Sequence, residues 1–129
     1  MGTKIVIRTD RAPGPFQGAP YNQAIRIGDL VFVAGQLGIS LETGELAGAS
    51  VGEQTEQIMA NLSAILDAAG SSLDRLVKTT VFLVDLADFA AMNEVYARHV
   101  GDRPPARSTV GISQLPSGAR VEIEAVAHV

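Results

Sequence analysis

Apolar and polar positions along the chain divide it into strand-like and helix-like segments. Residues 4–8 predict a short first strand, and a loop rich in proline and glycine follows it. Residues 21–36 predict a hairpin that turns at Gly28 and Asp29, a Gly-X pair typical of a type II′ turn. The second arm, residues 30–34, is apolar on both faces and therefore predicts cover on both sides.

The longest helical pattern begins at Ser50. Ser50 and Glu53 have the spacing of a capping box, apolar residues then recur at helical spacing as far as Ala69, and Gly70 is a predicted C-terminal cap. A nearly continuous apolar run at residues 75–85 predicts the next strand. A strand, a helix of about five turns and another strand form a crossover unit, so these two strands should be parallel.

A second helix is predicted at residues 89–100. Asp88 is a candidate cap at its start, and Gly101 is expected to end it. Two closing strands follow at about residues 106–112 and 120–128.

This order of elements predicts one α+β domain over residues 1–129, with one mixed sheet and two helices on one of its faces. Two helices can cover only one face of the sheet. Because the other face carries many apolar residues and 47% of the chain is hydrophobic, we expect copies of the chain to pack together there.

Composition narrows the range of partners and chemistries. A net charge of −4 and a pI of about 5.0 disfavour nucleic acid as the main partner, because phosphate binding needs a dense cationic surface. The absence of cysteine excludes disulfides, thiolate catalysis and cysteine metal sites. Because the start lacks an apolar signal core and no stretch reaches membrane-spanning length, we expect a cytoplasmic protein that binds no membrane.

The closing stretch, PPARSTVGISQLPSGARVEIEAVAHV, carries the strongest candidate chemistry. Arg107 follows a stiff Pro-Pro-Ala segment, and its planar fork could clamp a carboxylate, although an ordinary surface arginine is the alternative. Glu122 and Glu124 point to the same side of the last strand. Either carboxylate could hold or activate a water if it is partly buried, and a solvated edge is the alternative.

A tight hairpin of the last two strands would separate these candidates. Arg107 would then lie opposite about Val126, which leaves Glu122 about 13 Å away. Either the connection is irregular, or another chain helps to complete the site.

Four segments resemble the RidA/YjgF family of reactive-intermediate deaminases, namely GAPYNQA, VAGQLG, VKTTVFLVDLADFAAMNEVY and PPARSTVGISQLPSGARVEIEAVA. The match runs from about residue 13 to residue 128 in the family's order and spacing. The resemblance implies a chorismate-mutase-like fold and a homotrimer whose sheets form a central barrel. It also implies hydrolysis of 2-imino acids and enamines to 2-oxo acids and ammonia, without a metal or organic cofactor.

The resemblance also implies the site residues. The family's carboxylate-binding arginine falls on Arg107, and the glutamate that works with the attacking water falls on Glu122. This chain has Ala19 where glycine is usual in the family, and a threonine where many members have cysteine. The implied substrate-binding positions are Tyr21, Gly35, Asn93, Ser108 and Thr109.

Three other functions compete with imine hydrolysis. A trimer that binds 2-oxo acids without turnover would use the same Arg107. Endoribonuclease activity has been attributed to relatives, but the acidic balance of this chain argues against it. Chorismate mutase activity rests on fold alone, which says little about function.

Overall fold

The computed structural model describes residues 2–129, which form one six-stranded mixed sheet and two helices. The strand order across the sheet is β1-β2-β3-β6-β4-β5; β4 and β5 pair in parallel, and the other neighbours pair antiparallel. The α+β class and the mixed sheet are confirmed. The elements are β1 Ile5–Ile7, β2 Ala24–Ile27, β3 Leu30–Leu37, α1 Val51–Ala68, β4 Leu76–Leu83, α2 Phe89–Val100, β5 Ala106–Gly111 and β6 Val121–His128.

The predicted hairpin joins β2 to β3. Gly28 has a φ of 56°, the left-handed value that the first position of a type II′ turn requires. β3 is longer than predicted, because a register shift between Val33 and Gln36 lets it continue pairing with β6. Cover on both faces of this strand is not found within one chain, since Val31 and Val33 are buried whereas Phe32 is 44% exposed.

α1 begins and ends as its sequence predicts. The Ser50 hydroxyl accepts a hydrogen bond from the Glu53 backbone N–H, and the Glu53 carboxylate accepts one from the Ser50 N–H, which completes the capping box. Gly70 follows the helix with a φ of 81°. β3 and β4 run in the same direction, as the crossover predicts, because both pair antiparallel with β6 between them.

Asp88 is the N-cap residue of α2, as predicted, but its side chain makes no capping hydrogen bond. Asp88 ends a short 3-10 turn that runs directly into α2, and its carboxylate instead accepts hydrogen bonds from Arg120 at 3.0 and 3.2 Å. Asp85 caps the turn by accepting a hydrogen bond from the Ala87 N–H. Gly101, with a φ of 67°, ends α2 as predicted.

The hydrophobic core lies between the two helices and one face of the sheet. Its fully buried members include Leu62 of α1, Met92 of α2 and Ile123 of β6. The other face, called the open face below, carries a row of apolar side chains that follows the cross-strand register. That row consists of Val6, Ile25, Phe32 and Val126.

The last two strands do not form a hairpin. β4 lies between β5 and β6, and Thr79 of β4 is the register partner of both Arg107 and Ala125. The connection between β5 and β6 is therefore not the tight hairpin considered in the sequence, and the alternative in which another chain completes the site stays a prediction. Within residues 2–129, neither helix combines the length and the apolar character that crossing a bilayer requires.

Candidate active site

A cleft of about 800 Å³ lies at the open face. Residues 13–19 and residues 116–118 form its two rims, and β3, β4 and β6 contribute its floor. Phe16, Leu37 and Phe82 give it apolar walls, whereas Glu122 and Glu124 give it acid groups. No lysine, arginine or histidine of the described chain lines this cleft, so a ligand carboxylate would need a cation from elsewhere.

Glu122 lies on the floor, where the strand register sets it between Phe82 of β4 and Leu37 of β3. Its carboxylate packs against the backbone of Gly35, and a Cβ atom on Gly35 would lie 2.8 Å from Cδ of Glu122. The missing side chain of Gly35 therefore leaves the space that this carboxylate occupies.

Burial changes the pKa of Glu122, the acid group on the floor of the cleft. The partly buried carboxylate loses hydration, which raises the pKa of Glu122, and the negative charge of Glu124 raises the pKa further. A carboxylate whose pKa lies closer to neutral pH is a better proton acceptor for an attacking water.

Tyr21 borders the cleft and is 40% exposed. Its hydroxyl oxygen accepts a hydrogen bond of 2.6 Å from the Phe16 N–H, so the hydroxyl hydrogen remains available to a ligand. Ala19 has a φ of −62° and a ψ of 157°, an extended conformation that any residue adopts. The alanine therefore follows the loop without the conformational freedom of glycine.

Both rims contain left-handed backbone. Gln17 and Gly18 have φ values of 53° and 66° in one rim, and Ser117 and Gly118 have 60° and 69° in the other. The alanine that follows each pair closes the turn with a backbone hydrogen bond, of 3.0 Å in the first rim and 3.1 Å in the second. Left-handed residues other than glycine are uncommon and cluster at binding sites.

Gln23 ties the first rim to the body of the domain. This side chain is 3% exposed, and its amide nitrogen donates to the carbonyl oxygens of Thr9, Ala12 and Pro13 at 3.1, 3.1 and 2.9 Å. Its amide oxygen accepts from the Thr9 N–H at 2.8 Å. One buried side chain thus satisfies backbone groups at the base of the rim.

Arg107 lies outside the cleft, on edge strand β5. Its register partner Thr79 is buried on the helix-covered side, so the Arg107 side chain points to that side. The guanidinium carbon lies 4.9 Å from the ring centroid of Tyr96 and 5.5 Å from that of Phe89. The Tyr96 hydroxyl forms a 2.6 Å hydrogen bond with Thr79, and burial raises the pKa of Tyr96, which keeps the phenol neutral.

The remaining predicted site residues lie near this edge. Asn93 is on α2, in the turn between Phe89 and Tyr96, and Thr109 is on β5. The Asn93 side-chain oxygen and the Thr109 hydroxyl are buried and find no hydrogen-bond partner among residues 2–129. Ser108 points to the open face, as its alternation with Arg107 requires.

The structure therefore divides the predicted site into two groups. Tyr21, Gly35 and Glu122 meet in the cleft, whereas Arg107 does not join them within one chain. Arg107 and Glu122 pair with residues of β4 that lie three positions apart, so their side chains are on opposite faces. Two strand spacings and three residues separate their Cα atoms by about 14 Å. Among the residues that the structure describes, no cluster of acidic residues and histidines could hold a metal ion.

Comparisons with known proteins give a consistent relationship. The model of a family described as Endoribonuclease L-PSP matches residues 11–129. A RutC family protein of Pyrococcus abyssi is 49% identical over 125 residues, which are 97% of each chain. The human 2-iminobutanoate/2-iminopropanoate deaminase is 40% identical over 122 residues, 95% of this chain and 88% of the human one. The crystal structure of RidA from an Antarctic Psychrobacter superposes with a TM-score of 0.92 at 42% identity, covering 97% of this chain and 99% of that one.

Proposed function

This chain belongs to the RidA/YjgF family, and from that premise we propose that it hydrolyses 2-imino acids and their enamine tautomers to 2-oxo acids and ammonia. Relatives that carry the name 2-iminobutanoate/2-iminopropanoate deaminase support this reaction at the level of the family. Short 2-imino acids such as 2-iminobutanoate and 2-iminopropanoate are the proposed substrates.

The observation that carries the proposal is the environment of Glu122. Its carboxylate is partly buried beside Gly35, its pKa is raised by burial, and the cleft around it has apolar walls. These features suit a group that takes a proton from water and returns it to a leaving amine.

The substrate carboxylate needs a cation, and we propose that Arg107 of a second copy supplies it. Within one chain Arg107 faces away from the cleft, whereas edge strand β5 brings it to a border of the domain where another copy can pack. The apolar open face supports such packing. A homotrimer of chorismate-mutase-like architecture would satisfy both features, with the Arg107 edge of one copy completing the cleft of its neighbour.

Glu122 would then act twice in the reaction. The guanidinium of Arg107 binds the carboxylate of the protonated imine through two parallel hydrogen bonds. A water oxygen adds to the C=N carbon while Glu122 takes one of the water protons, which leaves a neutral carbinolamine. Glu122 returns that proton to the nitrogen, the C–N bond breaks, and ammonia departs as the hydroxyl oxygen forms the C=O bond and loses its proton to Glu122 or solvent.

Asn93, Ser108 and Thr109 would complete the binding of the substrate. Ser108 and Thr109 would contribute backbone groups from β5, and the Asn93 amide would contribute a side-chain hydrogen bond. Tyr21 would donate its free hydroxyl hydrogen from the cleft side.

A coupled assay tests the proposal. Threonine dehydratase generates 2-iminobutanoate, and the formation of 2-oxobutanoate is followed with and without this protein. We expect faster formation with the unaltered protein, but not with the Glu122→Gln variant. If the unaltered protein gives no acceleration yet binds 2-oxobutanoate in calorimetry, the alternative of a binding protein without turnover is favoured.

A further inference from the structure

Two aromatic rings of α2 support the guanidinium of Arg107. The guanidinium carbon lies 4.9 Å from the ring centroid of Tyr96 and 5.5 Å from that of Phe89. The two rings are two helical turns apart on one stripe of α2. At these distances the negative ring face attracts a cation, and a buried ring attracts it more strongly than an exposed one. Tyr96 is 5% exposed and Phe89 is 43% exposed, so Tyr96 is the stronger support.

Tyr96 is itself held in place. Its hydroxyl forms a 2.6 Å hydrogen bond with Oγ1 of Thr79, which is fully buried. Thr79 is also the strand neighbour of Arg107 in the β4–β5 register. Each of the three residues therefore contacts the other two. Thr79 neighbours Arg107 through the strand register, Thr79 bonds to Tyr96 through their hydroxyls, and the ring of Tyr96 lies against the guanidinium of Arg107.

We propose that Tyr96 is a positioning residue that holds Arg107 in the conformation in which it binds a carboxylate. The nature of that ligand, a 2-imino or 2-oxo acid, rests on the proposed function. The guanidinium carries five N–H donors in a fixed fork, so its contact with the ring of Tyr96 leaves donors for a ligand carboxylate. A free arginine loses much side-chain freedom when it binds a ligand, and an arginine that is already ordered avoids that loss.

The mobility of the Arg107 side chain tests this proposal without any ligand. In nuclear magnetic resonance relaxation, the Nε–H group of Arg107, assigned by its loss in Arg107→Lys, should have the order parameter of a fixed group. Exposed Arg103 provides the mobile reference. Tyr96→Leu removes the ring and should make Arg107 as mobile as Arg103. Thr79→Val keeps the ring but removes its anchor, and should give an intermediate order parameter.

A matched substitution controls for the loss of a buried hydroxyl. Thr55 is also fully buried and bonds to the Val51 carbonyl oxygen at 2.7 Å within α1, so Thr55→Val should leave the order of Arg107 unchanged. The proposal is overturned if Arg107 is as mobile as Arg103 in the unaltered protein, or if it stays fixed in folded Tyr96→Leu. If Tyr96→Leu does not fold, an unchanged order parameter in Thr79→Val overturns it instead.

Measurements of binding and turnover form a second test. Their outcomes distinguish a failure of the positioning role of Tyr96 from a failure of the proposed function. Tyr96→Phe keeps the ring but loses the Thr79 anchor, and should weaken 2-oxobutanoate binding in calorimetry by about 2- to 10-fold. With 2-iminobutanoate the same variant should raise KM and change kcat little, as expected for a group that acts on carboxylate binding alone. Unchanged binding counts against the positioning role. Absence of binding by the unaltered protein counts against the proposed function, and the mobility of Arg107 still decides the role of Tyr96.

Discussion

The backbone of Gly35 is the surface on which the carboxylate of Glu122 rests. A Cβ atom on Gly35 would stand 2.8 Å from Cδ of Glu122, closer than such contacts occur, and 3.0 Å from its Oε2, which is a tight contact. One glycine on β3 therefore determines where the acid group on β6 can lie.

Gly35→Ala should displace Glu122 and lower kcat by about 10- to 100-fold, because a misplacement of about 1 Å can cost that much in rate. Steady-state turnover of 2-iminobutanoate measures the effect. Gly52→Ala is the matched control, since its new methyl group would meet Val95 at an ordinary 3.7 Å and alanine favours the helix. Full activity in Gly35→Ala would show that the close contact has no part in catalysis.

Mixing two inactive variants tests whether Arg107 and Glu122 of different copies form one site. Arg107→Ala and Glu122→Gln should each be nearly inactive alone. If they are unfolded together in equal amounts and refolded, random assembly places an intact Arg107 beside an intact Glu122 in about one quarter of the interfaces of a closed ring. We therefore expect about one quarter of the normal activity. Refolded single variants are the control, and no recovery in the mixture would place the two residues in separate sites.

The charge of Glu124 should set the acid limb of the pH–rate profile. Glu122 must be ionised to accept a proton, so kcat/KM should fall as the pH falls through its pKa. Glu124 raises that pKa, so Glu124→Gln should lower the pKa and move the acid limb to lower pH. Asp102→Asn removes an equal charge from an exposed position outside the cleft and should leave the limb in place. A limb that moves equally in both variants would exclude a specific effect of Glu124.

The raised pKa of Glu122 also makes the stability of the fold depend on pH. Burial disfavours ionised Glu122 in the folded state, so the carboxyl costs no stability at acid pH and destabilises the fold as the pH rises through its folded pKa. Glu122→Gln should therefore raise Tm at neutral pH more than at pH values where the carboxyl is protonated. Thermal unfolding at both pH values measures the difference, and an equal shift at both would contradict this account.

Gln23 should contribute more to the free energy of unfolding than a glutamine whose side chain makes no bond to the backbone. Gln23→Leu leaves the buried carbonyl of Ala12 and partly buried backbone groups of Thr9 and Pro13 without this partner, which should cost about 2 kcal/mol in the free energy of unfolding. Gln57→Leu is a matched control, because Gln57 is half-buried on α1 and bonds to the Asn61 side chain instead of the backbone. Chemical denaturation compares the two, and equal losses would show that the bonds of Gln23 have no special weight.

The sequence predicted the local structure well because the signals were local. The capping box at Ser50, the turn at Gly28 and the helix end at Gly101 each depend on a few adjacent residues, and all three are confirmed. Asp88 holds the N-cap position but makes no side-chain capping bond, and its carboxylate instead bonds to Arg120, which is distant along the chain.

The sequence raised the separation of Arg107 from Glu122 as an alternative, but it could not give the cause of that separation. Its cause is the insertion of β4 between β5 and β6, and strand order is set by packing between distant segments. The sequence does not give the register between distant strands. It therefore did not reveal that Phe82 neighbours Glu122 or that Tyr96 supports Arg107.

The left-handed residues Gln17 and Ser117 have a consequence for engineering the protein. Glycine at either position would relieve a backbone penalty of about 1 kcal/mol, and heat resistance alone would favour that change. Glycine would also widen the range of shapes each rim can adopt before a ligand arrives. Selection for thermal tolerance and selection for a narrow choice of substrates should therefore pull these two positions in opposite directions.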